Sequence, residues 1–533
     1  MMSAVRATPA GVLMGAMILC HAQAHAARCE SLRSLELAQT TLTSVTRVAA
    51  GSFAPARTDA EPRGAAAWQS LGAFCRVQGV IAPSTDSHIE FEVWLPASDW
   101  NGRYQGTGNG GLAGSINYRD MATALRAGLA TSSTDTGHRG EATDGTWALH
   151  HPQRIIDYAY RAIHLTAEDA KAIVRAYYGR GPSHAYFSSC SNGGREALLE
   201  AQRFPRDYDG IIAGAPAIAI ARTLALFHSN QLALQGTGYI PATKYAALEA
   251  AVLAACDSRD GTKDGIVDDP RRCTFDPEIM RCAGPETERC LTAPQIAALE
   301  RIYAGPHTRT GAQIYPGLFP GGESGPLGWG LWVSGPAPGK SLEAAFLTEG
   351  GPAAFFDEPG WSYASRAVDG DILHSRIDRL LDADEANLTA FRARGGKLIL
   401  YHGWSDPALP PLETVRYYER VRAKMGSERT RGFVRLYMVP GMQHCGGGPG
   451  TDDFGTLPAG QANPHTSLSA ALERWVEQGI APGAIIARKR ALEHGTARTV
   501  RTRPLCPYPD VARYRGSGSL AAATNFTCSA EPL

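Results

Sequence analysis

Three short stretches carry the residues best suited to chemistry. "YFSSCSNGGREALLE" runs an apolar segment into Ser191, then into two glycines and a helical pattern, with Cys190 directly before the serine. "KLILYHGWSDPALPP" offers Asp406 just past a second strand-like run. "YMVPGMQHCGGGPG" places His444 in a glycine-rich loop after a third, with Cys445 directly behind it. A serine hydroxyl becomes a nucleophile when an imidazole takes its proton and a carboxylate holds that imidazole in the right tautomer. The order serine, acid, histidine, each at the end of a successive strand, suits that chemistry on an α/β sheet. The usual elbow pattern G-x-S-x-G is here S-x-S-x-G, with Ser189, another small residue, in the first position.

The tetrahedral intermediate of acyl transfer needs backbone N–H donors. "NGRYQGTGNGGLAGS", following the strand-like "HIEFEVWLP", is a glycine-rich loop able to bring one, assigned to Gly111; the amide after the nucleophile, Asn192, is the other. A competing reading makes Cys190 a thiolate nucleophile or redox switch.

The compartment bears on that choice. Residues 1–26 contain Arg6, an apolar run from Ala10 to Cys20 and then "AHA", the pattern of a signal peptide cleaved near Ala26. Export would leave ten cysteines, enough for five disulfides. Short separations favour Cys256–Cys273, Cys282–Cys290 and Cys506–Cys528 as the least costly loops to close, with Cys29–Cys75 as a fourth, leaving Cys190 for Cys445. A bonded cysteine cannot attack, so this pairing makes Ser191 the nucleophile.

"CDSRDGTKDGIVDDPRRC" spaces Asp257, Asp260 and Asp264 with glycines inside the expected Cys256–Cys273 loop. Crowded carboxylates repel unless a cation neutralises them. Calcium takes carboxylates and backbone carbonyls, and Thr262 and Ile266 are placed to give the carbonyls of a structural Ca2+ site. The pattern is not an EF-hand, since the distal Glu is missing.

The elements that must position these residues read as strands alternating with helices. Strand-like runs are "FCRVQGVI", "HIEFEVWL", "AGLATSSTD", "HAYFSSC", "GIIAGAP", "KLILYHG" and "VRLYMVPG"; helical patterns cover 156–178, 193–204, 412–425 and 468–478. This predicts an α/β layered sheet with a parallel core, in two segments, 27–225 and 393–533. The Gly-, Pro- and Asp-rich stretch 226–392, with its own cysteines, reads as an inserted lid. Lys plus Arg equals Asp plus Glu at 52 each, so no net field favours nucleic acid, and beyond the signal no apolar run reaches membrane-spanning length.

"SCSNGGREALLEAQRFPRDYDGIIAGAPA", "CDSRDGTKDGIVDD", "YHGWSDPALPP", "VPGMQHCGGGPGTDDF" and "RPLCPYP" together resemble the tannase and feruloyl esterase family, from about Cys29 to the end of the chain. The resemblance implies an α/β-hydrolase fold with an inserted lid and a triad at Ser191, Asp406 and His444. It also implies a disulfide between Cys190 and Cys445, and calcium held by Asp257, Asp260, Thr262, Asp264 and Ile266. It further implies a small aromatic ester as substrate: a galloyl or feruloyl (hydroxycinnamoyl) ester, or a terephthalate half-ester as in one branch of the family. A half-ester carboxylate would profit from a lid arginine, yet from Thr310 to Ser365 the only cation is Lys340. Trp329, Trp332, Phe346, Phe355, Phe356 and Trp361 are aromatic candidates for clasping a ring. The alternative from another class is a calcium-dependent binding protein that kept the fold and lost the chemistry.

Overall fold

Successive side chains on a strand point to opposite faces, and here both sets are apolar. On β6 (His184–Cys190), β7 (Gly210–Gly214), β8 (Lys397–Gly403) and β9 (Val434–Val439), one face presents Ala185, Phe187, Ile211, Leu398, Leu400, Val434 and Leu436. The other presents Tyr186, Ile212, Ile399, Tyr401, Tyr437 and Val439. The first face is covered by helices α1 (Ala162–Tyr178), α2 (Asn192–Arg203) and α4 (Pro411–Met425). The second is covered by α5 (Leu468–Gln478), through Leu468, Ala471, Leu472 and Trp475. The computed structural model describes residues 29–55, 68–355, 361–362, 377–460, 462–493 and 496–530. The expected signal peptide, 1–26, and Phe356 lie outside the described residues.

The sheet has nine strands in the order β1-β2-β3-β5-β4-β6-β7-β8-β9. The remaining strands are β1 (Thr40–Val48), β2 (Phe74–Ile81), β3 (Ile89–Pro96), β4 (Arg103–Thr107) and β5 (Ala130–Thr134). Pairing is parallel from β5 through β4 to β9, while β1, β2 and β3 pair antiparallel with their neighbours and β3 with β5. The swap of β4 and β5 is the crossover of the α/β-hydrolase sheet, so the expected fold class is observed. Two of these nine, β1 and β4, are not among the strand-like runs of the sequence. One of them, β4, lies inside the stretch read as a glycine loop, so the loop from Gly108 to Ser115 follows β4 and not β3. Four further strands form two C-terminal hairpins, Ile485–Glu493 with Thr496–Leu505 and Val511–Tyr514 with Phe526–Ser529.

The chain leaves the sheet at Gly214 and returns at Lys397. Helix α3 (Ile220–Ala233) runs through the boundary expected at 226. The insertion has its own core around Leu248, Val252, Leu299, Ile302 and Trp329. A third cluster joins it to the hydrolase unit through Leu112, Tyr158, Phe227, Leu347 and Leu409. Among the described residues no helix is long and apolar enough to cross a membrane.

Helix α2 can lie against the end of β7 only because Gly194 has no side chain. A Cβ there would stand 2.3 Å from the Gly214 carbonyl oxygen and 2.9 Å from Pro216 Cα, both main-chain atoms that cannot step aside. Gly194→Ala is therefore expected to lower stability by about 1–3 kcal/mol, the usual cost of overpacking, seen as a lower urea midpoint at unchanged m-value.

Candidate active site

Strand β6 ends at Cys190 and α2 begins at Asn192, so Ser191 alone makes the turn, at φ 66° and ψ −126°. A non-glycine residue at positive φ persists only where its surroundings over-determine it. The Ser191 N–H donates to the Gly214 carbonyl at 3.0 Å, and the Ser191 carbonyl accepts from the N–H groups of Arg195 and Ala217, each at 3.1 Å. The substituted first elbow position is tolerated because glycines surround it. A Cβ on Gly193 would stand 1.9 Å from Ser189 Oγ, and one on Gly108 2.9 Å from Ser189 Cβ.

Ser191, His444 and Asp406 come together as one hydrogen-bonded chain. His444 Nε2 lies 2.9 Å from Ser191 Oγ, and His444 Nδ1 lies 2.8 Å from Asp406 Oδ2. With Nδ1 donating to a carboxylate, Nε2 is free to accept the serine proton. Asp406 is 2% exposed, and four donors converge on it. The N–H groups of Ala408 and Leu409 reach Oδ1 at 2.8 and 2.9 Å, and His402 Nε2 reaches Oδ2 at 3.0 Å alongside His444. Burial alone would raise this carboxyl. The charge of His444 and the hydrogen bonds from both imidazoles outweigh it and hold the group well below the ordinary aspartate value. His402 Nε2 also faces the Leu409 carbonyl at 3.1 Å, so it carries the proton, and its Nδ1 accepts from the Thr414 hydroxyl at 2.7 Å.

Cys190 is bonded to Cys445 with Cα atoms 6.0 Å apart, and the other four pairs are Cys29–Cys75, Cys256–Cys273, Cys282–Cys290 and Cys506–Cys528. No thiol is left at Cys190 to act as a nucleophile. The bridge joins the residue before the serine to the residue after the histidine across a separation of 255 residues.

Gly111 and Asn192 stand on the segments that follow β4 and β6. Gly111 has φ +55°, and a Cβ there would meet the Ala142 carbonyl oxygen at 2.3 Å, so only glycine fits. As the first residue of α2, Asn192 has no intrahelical acceptor for its N–H. Beneath both lies a buried charged pair, Arg195 and Glu196, respectively 0% and 1% exposed. Burial pushes the Glu196 carboxyl up to about 7 against the opposing charge of Arg195.

The insertion touches both triad loops. Gln443 Nε2 donates to the carbonyls of Gly322 and Ser324, each at 2.7 Å, and Gly322 packs on Ser405. Of the aromatic candidates, Trp332 meets His444 edge to face at 5.0 Å between ring centroids, with Phe346 stacked behind it at 6.5 Å. Trp329 packs in the insertion's core against Tyr245 and Tyr303, Phe355 against Trp147 and Tyr158, and Trp361 stands near His228. Lys340 is exposed.

In the aspartate loop the Cys256–Cys273 bond closes the ends. Asp257 accepts from the N–H groups of Asp264 and Gly265 at 3.1 and 3.0 Å, and Asp260 accepts from the N–H of Thr262 at 2.8 Å. Asp264 is also held by the Arg503 guanidinium, reaching over from the C-terminal hairpin. Asp264 Oδ1 and Asp268 Oδ1 are buried without a hydrogen-bond partner. Among the described residues no three His, Cys, Asp or Glu side chains form a metal-binding group. An ion here would need main-chain carbonyls as well, which is the role expected of Thr262 and Ile266. Asp268 was not among the residues singled out from the sequence, and neither were His402, Tyr158, Arg195, Glu196 and Gln443.

A serine on a strand-to-helix turn, facing a histidine and an aspartate from later strand ends of this sheet, defines an α/β-hydrolase. The chain belongs to the tannase and feruloyl esterase family, whose family model matches residues 75–529, and it is a carboxylic ester hydrolase. It is 43% identical to an uncharacterized esterase of Xanthomonas campestris pv. campestris, over 95% of this chain and 92% of that protein. It is 36% identical to the mono(2-hydroxyethyl) terephthalate hydrolase of Piscinibacter sakaiensis, over 89% of this chain and 87% of that one. The crystal structure of feruloyl esterase B from Aspergillus oryzae superimposes with a TM-score of 0.84 at 29% identity, covering 95% of this chain and 100% of that one.

Replacing Cys190 and Cys445 together by alanine is expected to cost about 2–5 kcal/mol of stability. It should also lower kcat at temperatures where the protein remains folded, because the serine turn and the histidine loop lose their covalent tie. Thermal unfolding and initial rates on the same samples check both effects.

Proposed function

We propose that the protein hydrolyses esters of neutral aromatic carboxylic acids, of the feruloyl or galloyl kind, through an acyl-enzyme on Ser191. The observation that carries this reading is the unbroken Ser191–His444–Asp406 chain with the Trp332 ring against the histidine. Ser191 Oγ attacks the ester carbonyl while His444 Nε2 takes its proton. Asp406 keeps the imidazole in the Nδ1–H tautomer and stabilises the imidazolium. The Gly111 and Asn192 amides donate to the oxyanion. His444 then hands the proton to the leaving alcohol, and water, activated by the same histidine, releases the acid. A neutral ring is favoured because Trp332, Phe346 and Phe227 form an uncharged aromatic row beside the histidine. The second reading, a terephthalate half-ester, is favoured by the 36% identity to the terephthalate enzyme. Against it, the stretch from Thr310 to Ser365 holds no arginine, and Lys340 is its one cation in the sequence. Five disulfides favour an exported protein, secreted or periplasmic, with residues 1–26 as its signal.

The aspartate loop is proposed to hold a structural calcium ion. The donor set fits: it offers only oxygens, and two buried carboxylate oxygens, on Asp264 and Asp268, have no partner. Asp257, Asp260 and Asp264, with the carbonyls of Thr262 and Ile266, would hold the ion. When bound, it would supply positive charge that lets crowded carboxylates stay ionised.

Ser191→Ala is expected to reduce turnover of methyl ferulate by several orders of magnitude with an unchanged melting temperature. In the same assay the native enzyme should show at least about tenfold higher kcat/KM on methyl ferulate or methyl gallate than on the terephthalate half-ester, the scale of a lost carboxylate partner. Undiminished turnover by the variant would remove Ser191 as nucleophile, whereas preference for the half-ester would overturn the substrate class alone. Separately, chelation should lower the melting temperature and calcium restore it, the ion's stabilisation amounting to about 2.7 kcal/mol at a hundredfold excess over Kd. A melting curve indifferent to both removes the ion.

A further inference from the structure

We propose that Tyr158 is a positioning residue that sets the geometry of the oxyanion hole. The proposal rests on the reading of Gly111 and Asn192 as the two amide donors. Those donors follow β4 and β6, whose ladder ends at the Thr107–Ser188 pair, short of both the Gly108–Ser115 loop and the head of α2. Two side chains span it. The Tyr158 hydroxyl shares its one proton between the Gly111 carbonyl oxygen at 3.2 Å and Asn192 Oδ1 at 2.9 Å. The Glu196 carboxylate accepts from the Asn109 N–H at 3.0 Å on one oxygen and from Asn192 Nδ2 at 2.9 Å on the other.

The orientation of the Asn192 amide follows from its neighbours. Its nitrogen faces a carboxylate, and its oxygen faces two donors, Tyr158 and Arg195 Nε, the latter at 2.7 Å. Arg195 in turn donates to the main-chain carbonyls of Tyr158 and Ala159 at 3.0 and 2.8 Å, so the segment that carries the phenol is tied to α2 as well. Its guanidinium lies 4.7 Å from the centre of the Tyr158 ring. Tyr158 is 0% exposed, and burial raises its pKa to about 12, so the hydroxyl keeps its proton through the working pH range. The phenol touches no reacting atom. Its effect passes through the Gly111 main chain and the Asn192 side chain, and the transition state is where a misplaced amide is felt.

The test is Tyr158→Phe, which keeps the ring and removes the hydroxyl. The expected result is a fall in kcat of about 10- to 100-fold, the range for a small displacement of a pre-organised group, with KM changed by less than about twofold. The affinity for phenylboronic acid, which bonds to the serine as a tetrahedral mimic, should fall in proportion to kcat/KM. Asn192→Ala, which removes the acceptor and keeps the backbone donor, should show the same pattern, and the double variant should be no worse than the more damaged single one. That second variant carries the test alone if Tyr158→Phe does not fold. A variant with native kcat and native boronate affinity overturns the proposal, as does a loss of stability that leaves boronate affinity untouched. Ser191→Ala in the same series separates the two levels. If it remains active, the site reading itself fails, and if it is inactive while Tyr158→Phe is native, only the role of Tyr158 falls.

Discussion

A serine forced to φ 66° between a strand and a helix is the constraint around which the molecule is built. Such a residue stores backbone strain that the turn itself cannot relieve, so the surroundings must hold it. Three main-chain hydrogen bonds fasten the turn to Gly214, Arg195 and Ala217. Gly193 and Gly194 let α2 start close enough for those bonds to form. The covalent bond from Cys190 to Cys445 then fixes the histidine loop to the same turn. These devices act on the amide and the carbonyl of Ser191 and on the side chain of the residue before it, so the turn is held from three directions.

Two buried carboxyl groups near this turn show how similar burial can leave pKa values shifted in opposite directions. Asp406 faces two imidazoles and two main-chain N–H groups, and the donors outweigh desolvation, so it stays ionised and can stabilise an imidazolium. Glu196 has Arg195, one amide and one carboxamide, and burial prevails. The first is suited to catalytic electrostatics. The second holds two chain segments together, a task that needs acceptor oxygens more than it needs a full charge.

The parts of this arrangement that local sequence dictates were legible, and those that depend on distant partners were not. The runs "HAYFSSC" and "KLILYHG" match β6 and β8 residue for residue because both faces of each strand are covered and apolar. Strand β1 gives little signal because it is a half-exposed edge with four threonines among its nine residues and Val45 as its one buried residue. Strand β4, "RYQGT", is nearly all buried yet polar: Tyr104 and Thr107 spend their hydroxyls on Ser132, and Gly106 leaves room for Tyr208. The local disulfides were readable from spacing, and the distant Cys190–Cys445 bond by elimination. Arg195 and Glu196 look like surface charges of an amphipathic helix, because the groups that satisfy them, at Asn109 and at Tyr158 and Ala159, lie dozens of residues away. His402 gave no signal either, since a histidine in a strand more often faces solvent or core than a triad acid.

The insertion couples the aromatic wall to the loops of the acid and the histidine. It has its own core and two of its own disulfides, yet it is not an independent cap: Gln443, next to the histidine, is bonded to its Gly322 and Ser324 carbonyls, and Ser405, next to the acid, packs on Gly322. The aromatic wall beside His444 and the loops that carry Asp406 and His444 are therefore mechanically linked. Moving Trp332 to accommodate a different acid would pull on the backbone flanking His444 and Asp406. Divergence of substrate preference in such a fold is then most readily achieved by side chains that line the wall without touching Gly322 or Gln443, and Phe346, one ring removed from the histidine, is placed for that.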